Sequence, residues 1–295
     1  MRITNRLLQR EALHGVQRNL RDLYDAHRQV TTGQRIQKPS DDPIAAGAAM
    51  RADAQIRAIE RYARAIGGAE ARLAAEEEVL DRLTDLLTRA RELALANAGE
   101  PANAATRETA RVEIDSILDT VVQLANTRYQ GSYLFGGDFA DLPPLTETGD
   151  LNPAYPAGPL GRHSVEISSG HVLPVQHDAA TVFLESGVVD ALKALSAALA
   201  ANDGDAVRDT LPSIEAAFDR TQSLLGEVGG RMNTLEVARA NLSAWDVHLR
   251  TFRSDLIDAE LDEAVTRLLN RQTAYQAALA ANSRILQTSL MDYLR

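Results

Sequence analysis

Residues 261–295 read LDEAVTRLLNRQTAYQAALAANSRILQTSLMDYLR. Within them Leu261, Val265, Leu268, Tyr275, Leu279 and Leu286 return on a heptad cycle. On an α-helix that spacing draws one narrow apolar stripe, which needs a partner helix to cover it. The opening of the chain carries a matching stripe: Leu13, Val16, Leu20, Leu23 and Val30, with His27 in the same row as a polar residue that sets register. The two ends are therefore expected to pair, with each other or with copies of themselves. Everything between them is an excursion that leaves this seam and returns to it.

Composition agrees. Aromatic residues make up 4% of the 295 residues and charged residues 24%, with Ala and Leu dominant. This suits long helices better than a thick mixed core. The net charge of −10 argues against binding of polyanions by the whole chain. Residues 1–40 nevertheless carry eight basic side chains against three acids. Without stacking aromatics among them, these read as a solvated helix face rather than a nucleic-acid arm. The absence of cysteine excludes disulfides and thiolate metal sites. No stretch approaches a membrane span, so membrane insertion is not expected. The apolar run after Arg2 breaks at Thr4, Asn5 and Arg6, unlike a secretory signal peptide.

Taken in order, residues 4–32 form one helix that Gly33 stops. Pro39 forbids continuation, Asp42 stands where an N-cap belongs, and Pro43 suits the first position of the next helix. The connector is thus ordered. A second helix spans roughly 43–98, with Gly67-Gly68 a weak point and a seam of Leu73, Leu80, Leu83, Leu87, Ala90 and Ala94. Glu76 falls on that row and is expected to reach toward its edge. A third helix, 104–130, returns antiparallel with Ala110, Ile114, Ile117, Val121 and Leu124.

Residues 138–187 differ in kind and hold six of the ten prolines. Ser164–Ser168 and His171–Val175 alternate around Ser169-Gly170, which predicts a hairpin with His163 opposite about Gln176. A short helix from Val188 and a very long one from Asp205 follow. The long helix has the seam Val207, Leu211, Ile214, Phe218, Leu225, Val228, Met232 and Leu235, then Ala238, Leu242, Trp245, Leu249, Phe252 and Leu256. Irregularities are expected near 226–238, where the phase slips, and at Pro212.

Chemistry-bearing motifs are missing: no phosphate loop, no His-Glu-x-x-His, no Gly-x-Ser-x-Gly. His163, His171 and His177 fall short of a zinc ligand set, and capping explains Asp41 and Asp42. The sequence asks for no cofactor and no metal, and points away from an enzyme.

Thr31-Thr32-Gly33-Gln34-Arg35-Ile36 followed by Ser40-Asp41-Asp42-Pro43 resembles the segment after the first helix of bacterial flagellins and related axial proteins. Asp258-Ala259-Glu260, Gln276-Ala277-Ala278-Leu279-Ala280-Ala281-Asn282, Leu290 and Leu294-Arg295 are similar to the closing helix of that family. Tyr133-Leu134-Phe135-Gly136-Gly137, the opening Met1-Arg2-Ile3-Thr4 and the short insert look more like family members at the hook–filament junction than like filament formers.

The resemblance implies a structural subunit of the flagellum, exported without a cleaved signal peptide and extracellular once assembled. The partners it implies are copies of itself, hook-associated protein 1 on the hook side, flagellin on the filament side and a flagellar export chaperone. The ends would order only against neighbours, a coupling of folding to association.

The expected fold is mainly α: a long antiparallel coiled coil or helical bundle formed by both chain ends, with a small β-rich inserted domain. Residues 1–42 and 258–295 form the terminal assembly region, 43–137 and 188–257 a helical rod, and 138–187 the insert. The residues expected to carry assembly are Leu13, Val16, Leu20, Leu23, Leu261, Leu268, Leu279 and Leu286. Two alternatives stand beside this reading: a filament-forming flagellin, and a secreted adhesin or binding module that uses the insert.

Overall fold

The computed structural model describes residues 2–99, 102–139, 141–155 and 163–293, and their side chains except those of 2–6, 8–9 and 285–293. Long helices dominate: α1 (Arg2–Thr32), α2 (Pro43–Asn97), α3 (Ala104–Ala125), α4 (Val188–Ala200), α5 (Gly204–Ile257) and α6 (Leu261–Tyr293). Four short strands, β1 (Arg128–Tyr129), β2 (Ser132–Tyr133), β3 (Ser164–Ser168) and β4 (His171–Pro174), form two antiparallel hairpins. No helix among the described residues is long and apolar enough to cross a membrane. The chain divides into two compact units, one of residues 1–58 with 244–295, the other of residues 59–243.

In the first unit α1 packs along α6. Arg271 meets Asp22 at 3.0 Å and Arg267 donates to Gln29 at 3.1 Å, a pairing that runs antiparallel. Gly33, at φ +68°, ends α1 in the left-handed conformation that its missing Cβ permits. The connector then binds the end of α5. The Arg35 amide donates to the Ile257 carbonyl at 2.7 Å, and the Ala259 amide to the Gly33 carbonyl at 2.8 Å. The Arg35 guanidinium reaches the Leu256 carbonyl at 2.7 Å. Ile36 is buried in a small cluster with Ala45, Ala46, Ala49 and Ile257. Asp42 caps α2 by accepting from the Ala45 amide at 3.1 Å. The Asp41 carboxylate accepts from the Gln37 and Lys38 amides, which hold its pKa below the ordinary value. The two prolines and two acids thus make an ordered connector, as their types demand.

The second unit has a continuous apolar core. Leu73, Leu80, Leu83 and Leu87 of α2 pack with Ile114 and Val121 of α3, Leu192 and Leu195 of α4, and Val207, Ile214 and Val228 of α5. The α5 seam is centred differently from expectation, and its expected continuation fails at Trp245 and Phe252, which are exposed because no helix among the described residues covers that face. Ala217 and Thr221 are fully buried, whereas Leu211, Phe218, Leu225 and Met232 are only partly so. Small residues let the backbone approach closely, and Thr221 satisfies its hydroxyl on the Ala217 carbonyl at 2.8 Å. Helical structure runs unbroken through Gly67-Gly68, Pro212 and 226–238. Helix propensity at these positions is overridden by the packing of the flanking turns.

α3 stops five residues earlier than expected, at Ala125. The Asn126 side chain exchanges two hydrogen bonds with the Leu145 backbone, both at 3.0 Å, and Gln130 and Gly131 take positive φ to turn β1 into β2. Leu134 and Phe135 are fully buried, the latter edge-on to Phe183 at 5.3 Å. A Cβ at position 136 would lie 2.9 Å from the Phe139 carbonyl oxygen, which explains the first glycine of the Tyr-Leu-Phe-Gly-Gly run. Beyond it Tyr155 donates to the Phe139 and Leu142 carbonyls at 3.0 and 2.7 Å, and burial pushes its pKa up to about 12. The β3–β4 hairpin forms with a bulge between Glu166 and Ser168, so His163 faces Val175 rather than Gln176. A π-helical turn, Ala180–Glu185, leads to Gly187 and α4.

Candidate assembly surface

The seam between α1 and α6 fully buries only alanines and half-buries its larger side chains. Ala26 and Ala264 are each 3% exposed, and Ala12, Val16, Asn19, Leu23 and Val30 on α1 and Leu268, Tyr275, Ala278 and Asn282 on α6 are half-buried. Of the residues expected to carry assembly, Val16, Leu20, Leu23 and Leu268 are half-buried, whereas Leu13, Leu261 and Leu279 are exposed. The Leu286 side chain lies outside the described residues. His27 is exposed rather than seated in the seam. The neighbouring Ala26 fills that place, because an alanine row lets two helices approach where an imidazole would hold them apart.

Large apolar side chains gather on a second row of each helix. Leu13 and Tyr24 are 56% and 62% exposed and share a face of α1 with half-buried Leu20. Leu261, Val265, Leu269 and Leu279 are exposed together on α6. At ~100° per residue, each open row lies about a quarter turn from the seam on its own helix. A helix pair with its apolar residues arranged this way covers one stripe itself and leaves another for further helices. Exposed Arg10, Arg21 and Arg28 flank the α1 row. This surface suits helix-on-helix association.

Other candidates resolve differently. His163 and His171 are exposed, and no group of three His, Cys, Asp or Glu residues among those described could hold a metal ion. Glu76 departs from expectation. It does not reach an edge but is 0% exposed, bonded through Oε1 to Nδ1 of buried His177. The sequence pattern of α2 could not reveal this, because the partner arrives from the insert 101 residues away.

The comparisons with known proteins fall on this architecture. The family model for the bacterial flagellin N-terminal helical region matches residues 3–140, and that for the flagellin C-terminal helical region matches residues 211–294. Flagellar hook-associated protein 3 of Escherichia coli strain K12 is similar at 23% identity over 314 residues, covering 99% of each chain. The crystal structure of Bacillus cereus FlgL superposes with a TM-score of 0.58 at 29% identity, covering 69% of this chain and 97% of that one. That of the flagellar junction protein FlgL from Legionella pneumophila superposes at 0.59 with 14% identity, covering 72% and 100%. Terminal helices packed antiparallel along one another, a connector built on Gly33, Asp42 and Pro43, and family matches at both ends agree: the chain belongs to the bacterial flagellin family, a structural component of the flagellum and not an enzyme.

Proposed function

We propose that the protein is the adapter subunit that joins the flagellar hook to the filament. The observation that supports this most is the doubled apolar surface of α1 and α6, one stripe covered within the chain and one left open. In this reading residues 1–42 and 258–295 are the assembly region, 43–137 and 188–257 the rod, and 138–187 an outward insert. The open rows take helices of neighbouring copies within the layer. Hook-associated protein 1 lies on the hook side and flagellin on the filament side. Before assembly the open rows are held by an export chaperone, and the protein leaves the cell without a cleaved signal peptide.

The energetics favour coupled folding. A fully buried Leu contributes ~1.5–3 kcal/mol, and a seam of buried alanines and half-buried larger side chains gains less per residue. The α1–α6 pair alone is therefore weakly held, and burial of Leu13, Tyr24, Leu261, Val265, Leu269 and Leu279 against neighbours supplies the rest. The reading draws support from the hook-associated and junction proteins among the relatives, whose names describe those proteins.

The test is a double variant, Leu13→Asp with Leu279→Asp, expressed in cells whose own copy is deleted. The expected result is a monomer of unchanged helicity that fails to join the hook, leaving cells without filaments. Normal filament attachment would overturn the role of these rows, as would assembly of a variant lacking 261–295. A filament-forming flagellin is the second reading, favoured by the matches to flagellin terminal regions themselves. Long filaments formed by the purified protein alone would select it.

A further inference from the structure

The strongest unexplained feature lies inside the second unit, away from the assembly rows. His177, in the segment that follows β4, is 2% exposed and stands between two carboxylates. Nδ1 bonds Glu76 of α2, and Nε2 lies 3.2 Å from Glu227 of α5. Further charged and polar groups lie on the elements packed around this bridge. On α2, Arg72 donates to the Leu134 carbonyl at 2.8 Å and feels the charge of Glu76. On α5, Arg231 lies 3.4 Å from Glu227. In the segment itself, Gln176 donates to the same Leu134 carbonyl at 2.7 Å, and Asp178 is occupied in capping the Thr181 amide. Tyr129 of β1 faces Arg72.

A proton count decides what this arrangement can do. Ionised carboxylates only accept hydrogen bonds, and a neutral imidazole has a single N–H. Both contacts of the ring can be hydrogen bonds only if the triad carries one proton beyond a neutral imidazole and two carboxylates. The two arms are unequal. Glu76 is wholly buried, and among the described residues its Oε2 has no hydrogen-bond partner, so its bond to His177 compensates most of its burial. The Glu227 side chain is 55% exposed and has Arg231 and solvent as alternatives. Loss of the extra proton therefore keeps the inner bond and releases the outer one.

We propose that His177 is a proton-operated latch: protonated, it ties the insert to both α2 and α5 through Glu76 and Glu227, and deprotonated, it lets go of α5. The proton comes from solvent past Glu227 and returns there. Both contacts are hydrogen bonds only with the extra proton in place, so the outer tie weakens as rising pH removes it. This inference is independent of the assembly reading.

The test uses the full chain labelled with ¹⁵N-histidine, the His177 signals being assigned by their loss in His177→Gln. Both ring nitrogens are expected to carry protons at pH 6, and hydrogen-exchange protection of residues 171–186, corrected for intrinsic rates, is expected to fall by up to ~10-fold per pH unit as the extra proton is lost. In Glu227→Gln, an exposed change that keeps an oxygen acceptor, that pH dependence should shrink at least several-fold while the protein remains folded. A neutral His177 ring at pH 6 would overturn the proposal. So would protection of residues 171–186 that follows the same pH course in the wild type and in Glu227→Gln.

Discussion

The two units use the same helical vocabulary to opposite ends. Residues 59–243 place their large side chains inside: Leu73, Leu80, Leu83, Leu87, Ile114, Phe135, Phe183 and Leu192 are all fully buried or within 1% of it. The unit of residues 1–58 with 244–295 buries chiefly alanines, among them Ala26, Ala45, Ala46, Ala49, Ala52 and Ala264, with Ile36, Ile56 and Ile257. Its large side chains, Leu13, Tyr24, Trp245, Phe252, Leu261 and Leu269, are outside. Apolar content is thus a poor guide to where stability resides. What counts is the area withdrawn from water, and by that measure the second unit is much the more fully buried.

The sharpest way to break this contrast is a matched pair of truncations. Leu80→Ala should destabilise the second unit by ~3 kcal/mol, because it leaves a cavity in a closed core. Leu13→Ala should change monomer stability by no more than ~0.5 kcal/mol, since its side chain already meets water. Denaturant melts of both variants would decide, and equal losses would erase the distinction.

Arg107 offers the next test. Only 9% exposed, it donates to the Asn97 and Gly99 carbonyls at the end of α2 and to Asn202 in the turn before α5. Arg107→Met should cost ~2–3 kcal/mol by stranding those acceptors. It should loosen amide exchange at residues 97–99 and 202–204 first.

Tyr155→Phe removes the hydroxyl that gathers the Phe139 and Leu142 carbonyls and should cost ~1 kcal/mol. In the wild type the folded phenol titrates at about 12, above its ordinary value of 10.0. Its contribution is thus fully present below pH 10.0 and lost as pH rises toward 12. Alkaline melts of the two proteins should converge across that window.

The smallest effect belongs to Asp41. Its folded pKa lies below the ordinary 3.8, because the Gln37 and Lys38 amides favour the carboxylate. The connector is therefore held above that value and loosens as pH falls through the lowered one. Exchange at the Gln37 and Lys38 amides should rise in acid, and Asp41→Ala should show the faster rate at every pH. The carboxylate is fully exposed, so global stability should barely move.

Local chemistry was the most legible part of the sequence. Gly33, Asp42 and Pro43 announce the connector because each acts on its own backbone. The α2 and α3 seams were legible in full, those of α1, α5 and α6 only in part. A heptad count weights Leu and Val, whereas the true contact on α6 follows Ala264, Leu268, Tyr275 and Ala278, and that on α5 includes Ala217 and Thr221. Small side chains are invisible to a search for greasy ones, yet they are what let two helices come close. Glu76 was illegible for another reason: its meaning depends on a histidine from a different element. The π-helical turn has no propensity signature, and the bulge that moved His163 opposite Val175 arises from one extra residue.

The staple between the first connector and the end of α5 joins residues 221 apart in sequence. Loop-closure entropy grows only as the logarithm of length, so so distant a tie is little harder to close than a much shorter one. Once it is made, both outermost helices start from a common anchor and can zip together as neighbours in a short hairpin would. A nascent chain that has not yet reached Leu256 has no such anchor, and its first helix stays partnerless until that stretch and α6 have followed.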